Sequence, residues 1–475
     1  MRRRSAGARR TAAAAVLVSG WIATLALNWP GQLSYDSVAQ LHDGRTGHYN
    51  AWHPLVMAWM LGIVDSLVPG TGLFVLFDAS LLFGALLSLL WLTPRVSWAA
   101  VAGAAMCVAL PQLVLYQGIV WKDVLFADAS IAGFVALAQA GVHWRRKGLR
   151  WSLVFAAFLL LVLATLARQN GAIALAFGAV ALAFVARNEG FRWRSAFCCG
   201  IGAAAAAACV VLGANLALAE RSNGVSGPQA QIKLLQLYDL IGEAKTDPGL
   251  RLDGLKRANA DLDLLIHTDG VRLYTPVRND TLVSSSDLQD EFADTDAAAI
   301  ASQWRDALVH HPWDYLSVRA RVFAWVFFTP DLAQCDAYYT GVDGPPQYLR
   351  DLGLRRNFRP QDRALGSYAA LFIGTPVFSH AAYALIALVL LAFLLRRRHV
   401  ADFAIACLLG SALAFTISFF LISIACDYRY LLFLDLAVST AFLYCVLTWH
   451  RVGSVPSALR PPDLPSFPLE RSGGK

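Results

Sequence analysis

Between Trp29 and Pro54 the chain reads WPGQLSYDSVAQLHDGRTGHYNAWHP. This polar stretch follows an apolar run and holds Asp36, Asp43, His42, His48, His53, Arg45 and several aromatics. A plain connector between membrane helices needs no such set. A carboxylate among aromatics beside a membrane is a candidate general base for an acceptor hydroxyl. Asp36, in Ser34-Tyr35-Asp36-Ser37, is well placed for that role, and Asp43 competes with it. Structural readings stand beside the chemical one. Ser34 or Asp36 can cap a short helix running toward Gln40, and Asp43, followed by Gly44, suits a turn. Tyr35, Asp43 and His53 are further candidates for contact with an acceptor or a sugar.

A second polar site is Val120-Trp121-Lys122-Asp123, set between two apolar runs. A cation beside an anion at a membrane boundary costs energy unless paired or used. Lys122 suits a lipid phosphate, and Asp123 suits orienting it or an acceptor. Equally, Lys122 can snorkel while Asp123 sits at a helix N-terminus, where the dipole favours an anion. Arg168, in Arg168-Gln169-Asn170-Gly171, and Arg429, in Asp427-Tyr428-Arg429-Tyr430, are the other isolated cations. The guanidinium fork fits phosphate oxygens. It fits a structural carboxylate as well, with Asp123 or Asp427 as partner. The histidines His42, His48, His53, His267, His310 and His311 show no HxxxH or HExxH pattern, so no metal is specified, although a divalent ion is compatible with them. No cofactor is implied. Walker A, GxSxG and CxxC signatures are absent from the sequence. Gly200-Ile201-Gly202 lies in an apolar run and is read as packing.

The elements that must position these residues follow from composition. Of 475 residues, 57% are hydrophobic and 15% charged, with a mean hydropathy of +0.49. Soluble domains carry about 25% charge, so the chain is an all-α polytopic membrane protein. Its net charge of +7 is no nucleic-acid footprint, because the arginines fall in short clusters between apolar runs. Those runs lie at 11–28, 72–93, 96–115, 120–140, 151–167, 171–186, 195–219, 368–394, 400–424 and 430–449. One set of loops holds Arg2–Arg10, Arg95, Arg145–Arg150, Arg187–Arg194, Arg396–Arg398 and Arg451. The opposite short loops hold only Arg45, Lys122, Arg168 and Arg429. The positive-inside rule then places both termini in the cytoplasm and the candidate residues outside. The N-terminus reads as a retained signal anchor, since no cleavage site precedes the polar stretch.

Residues 53–93 must cross the membrane an odd number of times to reach Arg95. One of their two apolar stretches therefore lies in the interface. The choice falls on 53–68, which is short and carries Trp59 and Asp65. About ten spanning helices result. Residues 220–366 form an external α-rich segment, with helical stretches at Gln229–Lys245 and Thr295–Val309. It contains a second interfacial helix at 312–329. The tail 451–475, rich in Pro and Ser, reads as disordered. Six of the eight cysteines lie in apolar runs. Cys335 and Cys426 lie in or beside external polar segments, in a compartment that permits disulfides, and are expected to pair.

The layout resembles the GT-C superfamily of membrane glycosyltransferases, which includes protein O-mannosyltransferases and aminoarabinose transferases. Locally, SYDSVAQ…HYNAWHP, WKDVLFA, RQNG and DYRY are similar to a bacterial group of GT-C-like proteins. The resemblance implies a seven-helix catalytic module over 1–219 with a first external loop at 29–71. It implies a catalytic acid in that loop, Asp36, and a second between the third and fourth helices, Asp123. The external segment 220–366 and three C-terminal helices over 367–450 complete the plan. It also implies a polyprenyl-phosphate-linked sugar donor in the cytoplasmic membrane, transfer on the extracytoplasmic face with inversion, and donor phosphate held by Lys122, Arg168 and Arg429. The acceptor is a glycan, lipid or protein. Asp36 is followed by Ser37, not by a second acid as in the protein O-mannosyltransferases, which departs from their pattern for protein acceptors. A transporter or flippase for a lipid-linked or small anionic substrate is the alternative. It would use charges inside the membrane, for which Asp78, Asp128 and Asp435 are the candidates.

Overall fold

The structure is a computed structural model that describes residues 2–222, 227–397 and 399–449, with side chains from residue 7 onward except at 228. Arg398, Arg451 and the tail 451–475 lie outside the described residues.

In a bilayer each backbone polar group must be satisfied within its own segment, so apolar runs fold as helices. The chain opens with α1 (Arg2–Asn28), α2 (Tyr35–Thr46), α3 (Leu55–Leu67), α4 (Gly72–Leu89), α5 (Trp98–Val108) and the single turn α6 (Pro111–Val114). It continues with α7 (Lys122–Val142), α8 (Lys147–Ala167), α9 (Ala172–Asn188) and α10 (Trp193–Ala219). The polar segment holds α11 (Gly227–Thr246), then four short helices, α12 to α15 (Asp253–Ala258, Ala260–Leu265, Val271–Leu273 and Ser286–Asp294). After these come α16 (Ala297–His310), α17 (Pro312–Phe328), α18 (Pro346–Asp351) and α19 (Pro360–Ala370). The chain closes with α20 (His380–Arg397), α21 (Val400–Ile422) and α22 (Leu432–Thr448). Among the described residues, nine helices are long and apolar enough to cross a membrane, and no sheet forms. Helix α3, with 13 residues, spans about 20 Å at 1.5 Å per residue, short of the ~30 Å hydrocarbon core.

Two apolar runs fold differently from the simple expectation. The run 96–115 is bent by 66° between α5 and the segment Pro111–Gly118. Pro111 has no N–H to continue the helix, and Asn28 of α1 fills the break. Its amide donates to the carbonyls of Thr24 at 2.8 Å and Val114 at 2.7 Å. The run 368–394 does not form one helix. Gly374, at φ +77°, and Pro376 interrupt it, so the spanning helix begins at His380. Hydropathy averages over such punctuation.

Helices α7 and α22 are the most enclosed, and α7 packs against α4, α8, α9, α21 and α22. A second apolar cluster lies in the polar segment, built on Leu237, Ile241, Leu255, Leu262, Ile266 and Ile300. Helix α17 joins the two: Val318 and Val322 belong to this second cluster and Val326 to that of the spanning helices. Residues Cys335, Leu349 and Leu365 also pack in the cluster of the spanning helices, so the later part of the polar segment lies against the helix ends.

Candidate active site

Four short stretches meet at one end of the helices. The first two are tied by backbone pairing: the Gln32 N–H donates to the Gly118 carbonyl at 2.8 Å, and the Val120 N–H to the Gln32 carbonyl at 3.1 Å. Side chains extend the seam. Trp121 Nε1 donates to Ser34 Oγ at 2.8 Å, and Ser37 Oγ donates to the Val120 carbonyl at 2.7 Å. Ser34 also N-caps α2 in a capping box with Ser37. That settles the capping question in favour of Ser34 and leaves the Asp36 carboxylate free of the helix end.

The third stretch, Asp427–Tyr430, is clamped from both sides. Cys335 and Cys426 form a disulfide with Cα atoms 5.0 Å apart. The Cys426 N–H donates to the Val277 carbonyl at 2.9 Å and the Tyr428 N–H to the Cys335 carbonyl at 2.8 Å. Below it, Tyr428 Oη donates to Asp435 Oδ2 at 2.7 Å, and His380 Nδ1 lies 3.0 Å from Asp435 Oδ1 with its ring stacked on Tyr428. The fourth stretch, Arg168–Gly171, joins α8 to α9.

The charges of these stretches form one network. Arg429 lies 2.9 Å from Asp36 Oδ2, 3.0 Å from Asp427 Oδ2 and 3.9 Å from Asp123 Oδ2. Arg168 forms a close ion pair with Asp123. Aromatic faces enclose both guanidinium groups: Trp121 lies 4.7 Å from Arg429, and Phe419 and Tyr430 lie 5.3 and 5.5 Å from Arg168. Arg168 and Arg429, expected from sequence to meet a phosphate, are thus engaged with carboxylates here. Lys122 is different. It lies in electrostatic range of Asp36, Arg168, Arg429 and Asp427, yet no ion pair within 4.0 Å involves it among the described residues. Side-chain exposure separates the acids as well: 1% for Asp123 and 30% for Asp36. Asp427 lies between them at 20%, so Asp36 is the most exposed carboxylate of the network.

Burial pushes the Asp36 carboxyl up, but the neighbouring charges of Arg429 and Lys122 and the Arg429 hydrogen bond outweigh it and hold it below the ordinary carboxylate value. His53 stands beside it with Nδ1 shielded and unpartnered among the described residues. Burial first, then the Lys122 and Arg429 charges, lowers His53 to about 4 against the pull of Asp36. His53 thus titrates close to the carboxylate range, and while protonated it adds to the field of the cations on Asp36.

Two sequence candidates fall outside this network. Tyr35 is 64% exposed. Asp43 lies two helical turns beyond Asp36 and accepts the Asn50 N–H at 3.0 Å, closing the loop after α2; burial raises its pKa above the ordinary value. Of the acids within the spans, Asp435 holds the His380–Tyr428 network, while Asp128 accepts from Gln117 at 3.2 Å and lies in range of Asp78. Sequence reading gave Trp121 and Tyr430 no role within their motifs and did not pair His380 with Asp435. The available signal was a His and an Asp inside two apolar runs.

No family model matches this sequence, and no curated protein does. Two solved structures are similar to it. One is the oligosaccharyltransferase of Archaeoglobus fulgidus in its apo form, with 12% identity and a TM-score of 0.42 over 93% of this chain and 51% of that one. The other is oligosaccharyltransferase AglB of Archaeoglobus fulgidus in complex with an inhibitory peptide and a dolichol-phosphate, with 16% identity and a TM-score of 0.40 over 92% and 50%. The chain spans about half the length of these proteins.

Proposed function

We propose that the chain is a GT-C type glycosyltransferase that moves a sugar from a polyprenyl-phosphate donor to an acceptor on the extracytoplasmic face of the cytoplasmic membrane. The observation that carries this reading is the reachable, ionised Asp36 held 2.9 Å from Arg429 beside the unpaired cation Lys122. In this reading 1–219 is the catalytic module, 220–366 the external segment and 367–450 the helices that bring Arg429 to it.

The acceptor hydroxyl hydrogen-bonds to Asp36. Its oxygen attacks the anomeric carbon, the bond from that carbon to the phosphate oxygen breaks, and the proton passes to Asp36. Direct displacement inverts the anomeric centre. Lys122 and Arg429 neutralise the polyprenyl phosphate as it leaves, the kind of charge stabilisation that supplies much of an enzyme's rate. As Arg429 turns toward the phosphate it loosens from Asp36, which makes that carboxylate a stronger base. Asp123, held by Arg168, fixes the two guanidinium groups relative to each other. Exposed Trp29, Trp52 and Trp59 ring the first external loop, as suits a site at headgroup depth. The Cys335–Cys426 disulfide supports an oxidising compartment for this face.

Mass spectrometry of cell-envelope glycans, with the wild-type chain, without it and with Asp36→Asn, tests the reading. A glycan species that depends on the wild-type chain and is lost in the variant is expected. Identical glycan profiles in all three strains would overturn it.

A further inference from the structure

The external segment carries a cluster that the proposed reaction does not use. Helices α11 and α17 run antiparallel, and their seam has three levels. At the first, Arg319 pairs with Asp239 and donates to the Ser423 carbonyl at 2.8 Å, next to the end of α21. One turn along α11 is Glu243. It is fully buried, and neither carboxylate oxygen has a hydrogen-bond partner among the described residues. It lies in electrostatic range of Asp314 and Tyr315 on α17. One turn further, Asp247, His311 and Asp314 converge, and one ligand atom from each lies within 4.8 Å of the others.

Glu243 and Asp247 share a helix face at i and i+4. The turn continues through Asp247, whose N–H donates to the Glu243 carbonyl at 2.8 Å. The Asp247 carboxylate is oriented by the Gly249 N–H at 2.9 Å, the kind of outer contact that fixes a ligand's aim. Among the described residues, no Lys or Arg lies within ion-pair distance of Glu243, Asp247 or Asp314. Two acids and an imidazole thus converge without a Lys or Arg, and one turn from them the buried Glu243 lacks any donor. A desolvated carboxylate in that setting is costly unless a proton or a positive charge meets it; without a cation, burial and then Asp314 push Glu243 up to about 8.

We propose that Asp247, His311 and Asp314 bind one divalent first-row transition-metal ion of the zinc type, with the buried Glu243 carboxylate one turn behind them. The mixed imidazole and carboxylate donors favour such an ion over Ca2+, which prefers oxygen alone. The ion ties the start of α17 to the end of α11 and so braces the external cluster from the side opposite the Asp239–Arg319 pair. It shares no residue with the Asp36 network, so its role is structural.

The test uses the full chain purified in detergent, stripped with a chelator, and then titrated with Zn2+, Mg2+ or Ca2+. Metal content is read by mass spectrometry and Tm by a thermal scan. One Zn2+ per chain is expected, with a Tm above that of the stripped protein and a weaker response to Mg2+ and Ca2+. His311→Gln, Asp314→Asn and Glu243→Gln should each weaken Zn2+ affinity about tenfold or more and remove the rise in Tm. His311 and Asp314 are partly exposed, so their variants should keep the wild-type elution profile. Should a variant fail to fold, the wild-type stoichiometry and chelator effect decide alone. Absence of saturable Zn2+ uptake by the wild type, or uptake unchanged in well-folded variants, would overturn the assignment.

Discussion

Two of the places where the molecule buries charge differ in kind. The Asp239–Arg319 pair is closed: both side chains are 0% exposed. Trp304 Nε1 donates to Asp239 at 2.9 Å, and the carbonyls of Leu421 and Ser423 receive Arg319. One cation meets one anion, and nothing from outside can join. The Asp36 network is open. It sets Asp36, Asp123 and Asp427 against Arg168, Arg429 and Lys122, leaves Asp36 30% exposed, and leaves Lys122 without a close carboxylate. Burial of charge is therefore no mark of function by itself. What marks the second cluster is a reachable anion next to a cation with spare capacity.

Substitutions should separate the two. Asp36→Asn should lower sugar transfer by about 10²–10⁴-fold, the usual worth of a positioned acid or base. It should lower Tm only by the loss of the partly exposed Asp36–Arg429 contact, because Ser34 and not Asp36 caps α2. Transfer near the wild-type level in membranes would put the Asp36 network in the same class as the Asp239–Arg319 pair. Arg319→Met should do the reverse. It strands Asp239 in the external cluster, and breaking a buried pair from one side costs about 3–5 kcal/mol, read as a large fall in the denaturation midpoint. Arg168→Ala belongs with it on stability, since it strands Asp123, and a variant as stable as the wild type would show that Asp123 is not buried as an anion.

The spans and the polar loops were legible in the sequence because lipid imposes a hydropathy rule and a charge rule on each run separately. Arg168 and Arg429 stood out because they violate the second rule. Their partners were not legible. Arg429 meets Asp36 across a separation of 393 residues, and only the packing of α7 and α22 sets that register. For the same reason, sequence spacing alone could not choose between Asp36 and Asp43. The choice rests on the capping box at Ser34 and on the Asn50 N–H that occupies Asp43. The bend at Pro111 and the late start of α20 were hidden by averaging over apolar residues that sit beside Pro and Gly.

A smaller effect sharpens the contrast within the open network. Lys122 has no close carboxylate to strand, so Lys122→Ala should leave Tm close to that of the wild type. Losing a charge-assisted contact to the donor phosphate costs about 1.5–3 kcal/mol, so KM for the donor should rise roughly tenfold or more. Unchanged donor dependence would remove Lys122 from the binding site and leave Arg429 as the phosphate ligand.

The subtlest test concerns pH. Free aspartate titrates near about 3.9, and in the folded chain Asp36 lies lower because the cations outweigh burial. Transfer requires the carboxylate, so the rate should rise with pH through the Asp36 pKa, and in the wild type that limb falls below the ordinary aspartate range. A group with a depressed folded pKa adds stability above its unfolded pKa and loses it as pH falls through the folded one. Arg429→Gln removes the charge 2.9 Å from Asp36, while burial remains. The Asp36 pKa should then rise, and the acid limb of the pH–rate profile should move to higher pH with it. The Asp36 contribution to Tm near neutrality should shrink in the same variant. His53 titrates at about 4, so a His53→Gln background keeps its limb out of the comparison. Coincident limbs in wild type and variant would mean that the titrating base is a carboxylate other than Asp36, and the division between a closed structural pair and an open catalytic one would have to be drawn elsewhere.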